Sequence, residues 1–208
     1  PRALAELMEK YSVDCINATP SRLQQYMEYA PFNKALSKCR LVMSGGEGYP
    51  ISLRDAIRKC SPDIKIINTY GPTEITVSCN AADLTNAEYV SVGRPLLNYD
   101  EVIVDKFGDT APYGVIGELY IGGVGVAKGY KNLPDKTAAA FVEYNGQRMY
   151  RSGDYAKWDK YGNVIYSKVA TLKITSSNRS YTGTLKDGTK FVAYAPTDYD
   201  MAIISQDY

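Results

Sequence analysis

Apolar residues fall at helical spacing at the start of the chain, where Leu4, Leu7, Met8 and Tyr11 share one face. The run VDCINATP that follows is apolar and closed by Pro20, the pattern of a short buried strand. Ser21 stands where it can cap the next helix, expected over residues 22 to about 29. A second strand, RLVMSGGEGYP, a helix over residues 52–59 and a third strand, DIKIINTY, complete this part. Strands alternating with helices of this length predict a parallel sheet with crossover helices. Ligands of such sheets collect outside the carboxyl ends of the strands, and three loops begin there, after Ile16, Met43 and Ile67.

After about residue 83 the pattern changes. YVSVG, DEVIVD, GELYIGG, QRMYRSGD and NVIYSKV are short β-rich runs separated by turns, which predicts a small antiparallel barrel or sandwich. From near Ser167, KITSSNRSYTGTLKDGTKFVAYAP offers two or three strands with Asp187-Gly188 as a hairpin turn. The expected fold class is α/β in three parts. Residues 1–84 form a parallel-sheet segment, residues 85–166 an antiparallel β-barrel-like segment, and residues 167–208 a C-terminal β-hairpin tail.

Composition narrows the chemistry. With 208 residues, 45% hydrophobic and 23% charged, the chain is globular. Its net charge of +1 is spread without a basic run, so neither nucleic acid nor an anionic membrane is the expected partner. There are 19 Tyr and no His, which removes Ser-His-Asp and Cys-His catalysis and any His-ligated metal. Carboxylates, hydroxyls, amines and backbone groups remain. The four cysteines, Cys15, Cys39, Cys60 and Cys79, form no C-x-x-C and read as buried free thiols of a reducing cytoplasm. No apolar stretch is long enough to span a membrane and no signal peptide is visible. Because Pro1 stands inside what reads as a helix, the chain is expected to be an excerpt.

Three motifs carry chemistry. INTYGPTE, residues 67–74, runs an apolar strand into Tyr70, breaks it at Gly71-Pro72, and follows the break with Thr73 and Glu74. Taken alone, the Gly-Pro ends a strand and Thr-Glu opens a helix. SGGEG, residues 44–48, places glycines straight after a strand, where they make either a plain turn or a close approach for a ligand; it is neither a P-loop nor a G-x-G-x-x-G. YRSGDYAKW, residues 150–158, puts Asp154 after a glycine at a strand end, where its carboxylate can accept two hydroxyl hydrogen bonds from a vicinal diol such as ribose.

In their order along the chain, NTYGPTE, GELYIGGVGVAKGY with LPDKTAAAF, and YRSGDYAKW with GNVIY resemble core motifs of the adenylation domains of nonribosomal peptide synthetases, within the AMP-forming ligase superfamily. The resemblance covers about residues 1–166. That family activates a carboxylic acid, usually an amino acid, with Mg-ATP to give an acyl adenylate and pyrophosphate, and passes the acyl group to a carrier-protein phosphopantetheine thiol. The resemblance thus implies ATP and Mg²⁺ as cofactors, with carrier-protein and condensation domains of a multidomain synthetase as partners. An acyl-CoA or aryl-acid ligase of the same superfamily, and a non-catalytic remnant, stand as alternatives.

Carried over residue by residue, the resemblance implies that Tyr70 stacks on adenine with Asn68 near the purine edge. Gly71-Pro72 turns the chain so that Thr73 reaches the phosphates, and Glu74 helps hold Mg²⁺, which makes Thr73 and Glu74 the catalytic pair. Gly45, Gly46 and Glu47 resemble the wall beside the nucleotide, Thr69 lies next to it, and Asp154 grips the ribose. Asn17, Val42, Ser44, Thr69, Val77 and Ser78 match the wall of the acid pocket, and their small or hydroxylated character favours a small or polar side chain. No base is needed, because the substrate carboxylate is itself the nucleophile.

The chain departs from the family in three places. The phosphate loop would lie before Pro1. Val169, Ala170 and Thr171 stand where a hinge should carry Arg and Asp, and the C-terminal subdomain with its lysine is missing, so the chain alone is expected to be an incomplete catalyst. Over a short span, TGTLKDGTKFVAYAPTD resembles the extracytoplasmic domain of FtsH-type AAA proteases, and a junction between lineages is expected near Ser167.

Overall fold

Three parallel strands, β1 (Cys15–Asn17), β2 (Leu41–Gly45) and β3 (Lys65–Tyr70), align Ile16, Val42 and Ile66 on one rung in a computed structural model. The described residues are 1–166 and, further on, the backbone of four strands, Lys168–Thr171, Ser180–Thr184, Lys190–Tyr194 and Ala202–Ser205. The chain divides into two compact units, Pro1–Tyr166 and Ser167–Tyr208.

Helices α1 (Arg2–Lys10), α2 (Pro20–Met27), α3 (Ala30–Leu36) and α4 (Ile51–Cys60) supply much of the rest of the first core. Met8, Leu23, Phe32, Leu36, Leu53 and Ile57 join Ile16, Val42 and Ile66 in one buried cluster. The 53/57 and 32/36 pairs are i, i+4 neighbours on one helix face, and each such side chain contributes about 1.5–3 kcal/mol relative to being left in water.

The helices differ from the sequence reading in two ways. Ser21 is not the cap of α2. Pro20 opens that helix, Thr19 precedes it, and the Ser21 hydroxyl and N–H both donate to the Glu47 carboxylate. Helix α3 has no counterpart in the sequence reading because Phe32, Ala35 and Leu36 fill too short a window to show a period. The cysteines also divide: Cys39 and Cys79 are buried, Cys60 is half-buried, and Cys15 is exposed on β1, contrary to the expectation of four buried thiols.

The first sheet then turns antiparallel. Strand β4 (Asn80–Asp83) pairs with β3, and the two-residue β5 (Arg94–Pro95) pairs with β4. The second sheet is antiparallel throughout, in the order β10 (Val164–Tyr166), β9 (Gln147–Trp158), β7 (Gly117–Gly123), β6 (Tyr99–Val104), with β8 (Phe141–Tyr144) also on β9. Helix α5 (Pro134–Ala140) leads into β8. Ile75, Cys79, Val92, Ile103, Leu119, Ile121, Phe141 and Val164 form the second core.

YVSVG is not a strand. Its last residue, Gly93, makes a single bridge to Val164 of the second sheet while lying against Ala81 of the first. Gly93 has φ +80°, and a β-carbon there would stand 1.9 Å from the Ala81 carbonyl oxygen. Both the conformation and the close approach require glycine.

In the second unit, Lys168–Thr171 (β11) pairs antiparallel with Ala202–Ser205 (β14), and Ser180–Thr184 (β12) with Lys190–Tyr194 (β13). The proposed hairpin turn at Asp187-Gly188 lies outside the described residues.

One polar group interrupts the inner face of β6. Between Tyr99 and Ile103 on that face stands Glu101, whose Oε2 accepts a hydrogen bond from Asn80 Nδ2 at 3.0 Å. The Cys79 thiol donates to its Oε1 over 3.8 Å. Burial pushes the carboxyl up to about 7, against the lowering effect of these two donors.

Two predictions follow from these packed positions. Gly93→Ala should cost at least about 1–3 kcal/mol in chemical denaturation, since strain and overlap act together; a stability within error of wild type would show that the two sheets part easily here. For Glu101, the folded protein holds the proton more tightly than the unfolded chain does. Its stabilising effect is complete below the ordinary Glu range and is lost as pH rises through about 7. The melting temperature of wild type should therefore fall relative to Glu101→Gln between about pH 5 and pH 8, and parallel profiles would refute this.

Candidate active site

The site begins where β3 runs out. Gly71 lets the chain fold back on itself: a β-carbon there would meet Ser78 Cα and the Val77 carbonyl oxygen at 2.7 Å. The returning strand closes on it through Cys79 N–H donating to the Tyr70 carbonyl at 2.8 Å. Thr73–Ile75 form only a single 3-10 turn, so Thr-Glu does not open a long helix. Thr76 and Val77 follow with φ of 59° and 72°. These are β-branched residues in the left-handed region, a sparsely populated conformation that persists only where surroundings enforce it. Here Ile75 is anchored in the second core, and Thr76 Oγ1 donates to the Gly125 carbonyl at 2.9 Å.

Tyr70 and Asp154, 84 residues apart, meet. The Tyr70 hydroxyl donates to Asp154 Oδ2 at 2.8 Å, and the Tyr166 hydroxyl approaches the same oxygen at 3.4 Å. The two tyrosine rings pack edge to face with centroids 4.8 Å apart. Burial raises both phenols above their ordinary range, so they remain donors. Among the described residues, no hydrogen bond reaches Asp154 Oδ1. Asp154 lies within β9, not at a strand end. Gly153, at φ +72°, kinks that strand, and Ser152 Oγ bridges the kink by donating to the Leu119 carbonyl and accepting from Asp154 N–H. A 12-residue strand was hidden from sequence reasoning because this kink resembles a turn.

Glu74 is held by the glycine-rich segment GELYIGGVGVAKGY. Its Oε1 accepts from the Tyr130 hydroxyl at 2.5 Å, and its carbonyl accepts from Ala127 N–H at 2.8 Å. The Tyr130 hydrogen bond, helped by the Tyr150 hydroxyl and the Lys136 charge, holds the Glu74 carboxyl below its ordinary value. Lys136 lies 4.1 Å from the Tyr130 ring centroid. An open groove of about 510 Å³ adjoins, lined by Lys128, Gly129, Tyr130, Lys131, Pro134, Thr137 and Ala138. Thr73 is exposed beside Glu74. Tyr130 and Tyr166, which hold the candidate residues Glu74 and Asp154, were passed over by sequence reasoning, although both stand inside motifs it had singled out.

The remaining candidates spread over both faces of the first sheet. Val42, Ser44, Ile66 and Asn68 share the buried face, whereas Gly45 and Thr69 adjoin on the other. Asn68 Nδ2 donates to the Ser91 carbonyl at 2.8 Å, and Ser44 Oγ has no partner among the described residues. Gly45 is pressed against Thr69, but a β-carbon at Gly48 would meet nothing within 4 Å. Glu47 ties this loop to the start of α2, where a carboxylate favourably meets the free N–H groups of a helix. Asn17 and Val77 are exposed and Ser78 is half-buried.

The family model for AMP-binding enzymes matches residues 1–131. Among curated relatives, malpibaldin synthetase of Mortierella alpina is 36% identical over 173 residues, spanning 78% of this chain, and tyrocidine synthase 3 of Brevibacillus parabrevis is 38% identical over 170 residues, spanning 80%. The chain spans only 3% of the length of either. Among solved structures, the N-terminal subdomain of Klebsiella oxytoca NpsA in complex with 3-hydroxyanthranilyl-AMSN superposes with TM-score 0.70 at 27% identity, covering 79% of this chain and 42% of that one. A synthetase protein containing adenylation and PCP domains, bound to a vinylsulfonamide inhibitor, gives 0.72 at 25% identity, covering 81% and 31%. None of these matches carries the tail's resemblance to FtsH-type proteases. Sequence family, fold and the convergence of the three motifs agree, and the chain belongs to the AMP-binding enzyme family, as part of an adenylation domain of the nonribosomal peptide synthetase type.

Proposed function

We propose that the protein containing this chain forms an aminoacyl adenylate from an amino acid and Mg-ATP and loads the acyl group onto a phosphopantetheine thiol of a carrier domain. The observation that carries this reading is the Asp154 carboxylate, fixed through Oδ2 by two phenols and open at Oδ1, beside the ring of Tyr70. A ribose diol and a purine suit such a pair.

The reaction needs no base. A carboxylate oxygen of the acid forms a bond to the α-phosphorus, the bond from that phosphorus to the bridging oxygen breaks, and pyrophosphate leaves with the electron pair. What the protein supplies is position and charge. Thr73 reaches the phosphates, and Lys128 and Lys131 give their groove a positive lining. Mg²⁺, when bound, neutralises phosphate charge. Glu74 would hold it, and one carboxylate is enough for a cation that completes its shell with phosphates and water. Gly45, Gly46, Glu47, Asn68 and Thr69 belong to the nucleotide side of the site. Asn17, Val42, Ser44, Thr69, Val77 and Ser78 belong to the acid side, with a small or polar substrate side chain. An aryl acid is the second reading, favoured by the 3-hydroxyanthranilyl ligand of NpsA.

The same reading assigns residues 1–84 and 85–166 to the large subdomain of an adenylation domain and residues 167–208 to a separate tail. Carrier and condensation domains are its partners, since the relatives are synthetases. Its place is the cytoplasm, where free cysteines such as these four stay reduced.

Nucleotide titration of the purified chain tests the site. Tyr70→Ala should weaken AMP binding by about 1–3 kcal/mol, and Asp154→Ala should weaken adenosine and AMP but leave inorganic pyrophosphate unaffected. Unchanged AMP affinity in both variants would overturn the assignment. For the metal, Glu74→Gln should raise the Mg²⁺ concentration that supports half-maximal ATP binding by about tenfold; a normal metal dependence would reduce Glu74 to a loop anchor for Tyr130.

A further inference from the structure

Asn80 is one of the residues that join the two sheets. It is 0% exposed, and its backbone pairs with Tyr70 of β3 and Pro95 of β5. Its side chain crosses to the second sheet, where Nδ2 donates to Glu101 Oε2, while Oδ1 has no partner among the described residues. Cys79, beside it, donates its N–H to the Tyr70 carbonyl and accepts from Leu96 N–H at 2.7 Å. The Cys79 thiol lies within 3.5 Å of the Tyr70 carbonyl and 3.8 Å of Glu101 Oε1.

These two residues end the strained path of Thr76 and Val77. On its upstream side the path is held by Ile75 and by the Thr76 bond to Gly125. Downstream, the only side-chain hydrogen bonds from Cys79 and Asn80 to the second sheet, among the described residues, go to Glu101. Glu101 is otherwise out of place. Ile103 and, across the ladder, Ile121 are apolar neighbours on its face, and no Lys or Arg among the described residues forms an ion pair with it. Packing alone would favour an aliphatic residue there, because an unpaired carboxylate in such a place is costly. Its oxygens serve Asn80 and Cys79.

We propose that Glu101 is a positioning residue for residues 76–78: by fixing Asn80 and Cys79, it holds the left-handed turn that carries Val77 and Ser78 at the acid side of the site. The proposal rests on the assignment of those two residues to the acid wall. Glu101 touches neither nucleotide nor acid and acts only through Asn80 and Cys79.

Val77 is 76% exposed, and elastase cleaves after small aliphatic residues, so the rate of cleavage after Val77 in the intact chain, followed by mass spectrometry below the melting temperature, reads the hold on this loop. Glu101→Leu should accelerate that cleavage by about tenfold. Asn80→Ala, which removes the same hydrogen bond from its other end, should act likewise and decides the matter where Glu101→Leu does not fold. Glu101→Gln keeps an acceptor for Asn80 Nδ2, so its cleavage rate should stay within about twofold of wild type. Ile103→Val, which loosens the same face of β6 without touching Asn80, should also leave the rate unchanged. A folded Asn80→Ala or Glu101→Leu cleaved at the wild-type rate would overturn the proposal, as would equal acceleration in Ile103→Val. If the variants behave as expected but no acid from a panel of small, polar and aryl carboxylic acids slows cleavage of wild type in the presence of Mg-ATP, the acid-wall assignment fails and the positioning role stands.

Discussion

The close return of the chain at Gly71 is the constraint on which the rest of the site depends. Strand β3 enters it from the first core, through Ile66, and Ile75 and Cys79 leave it in the second. A chain can change cores in so few residues only if its two arms nearly touch, and the 2.8 Å hydrogen bond from Cys79 N–H to the Tyr70 carbonyl is that contact. Any side chain at residue 71 would occupy the space of the returning backbone. Pro72 then accepts the Ile75 N–H that closes the 3-10 turn, and the turn carries Thr73 and Glu74 to the side where Tyr130 waits. Tyr70 is thereby held at the junction of the two sheets, where its hydroxyl reaches Asp154 of β9.

Much of this architecture was legible in the sequence, and the parts that were not share a physical reason. The parallel strands were readable because buried rungs such as Ile16, Val42 and Ile66 need apolar residues over a short run. Strand β4 was not: Asn80–Asp83 is polar at both ends and owes its conformation to pairing with β3 on one side and β5 on the other. Tertiary context overrides local preference in such a short, polar-ended strand. Asp154 was read as a turn residue since Gly153 looks like a break, yet the ladder with β7 continues past it through a bulge. Glu101 was the hardest to see. A charged residue in DEVIVD reads as solvent-facing, and only the position of Asn80, 21 residues earlier, gives it a reason to face inward.

The candidate residues could be named from the sequence, but their arrangement could not. Tyr70, Glu74 and Asp154 stand in motifs quotable from the sequence, but nothing local says that one tyrosine will hold an aspartate 84 residues away or that another, 56 residues away, will hold a glutamate. Both contacts cross from the first sheet or its terminal loop to the second sheet or the loop after its strand β7. They exist because the two cores share the segment after β3, so the fold and the site are one geometric solution.

A chain with 19 tyrosines and no histidine also has a particular electrostatic habit. Phenols ordinarily titrate near pH 10, and burial raises Tyr70, Tyr166 and Tyr150 further, so at neutral pH they donate hydrogen bonds without carrying charge. A histidine in the same places would change charge within the physiological range and alter the grip on each carboxylate with it. Phenols orient Asp154 and Glu74 without adding a charge of their own. The geometry adds the rest: because both phenols at Asp154 converge on Oδ2, a ligand hydroxyl at Oδ1 would add a hydrogen bond without displacing one already made. The carboxylate is then oriented before any ligand arrives, and little ordering remains to oppose binding.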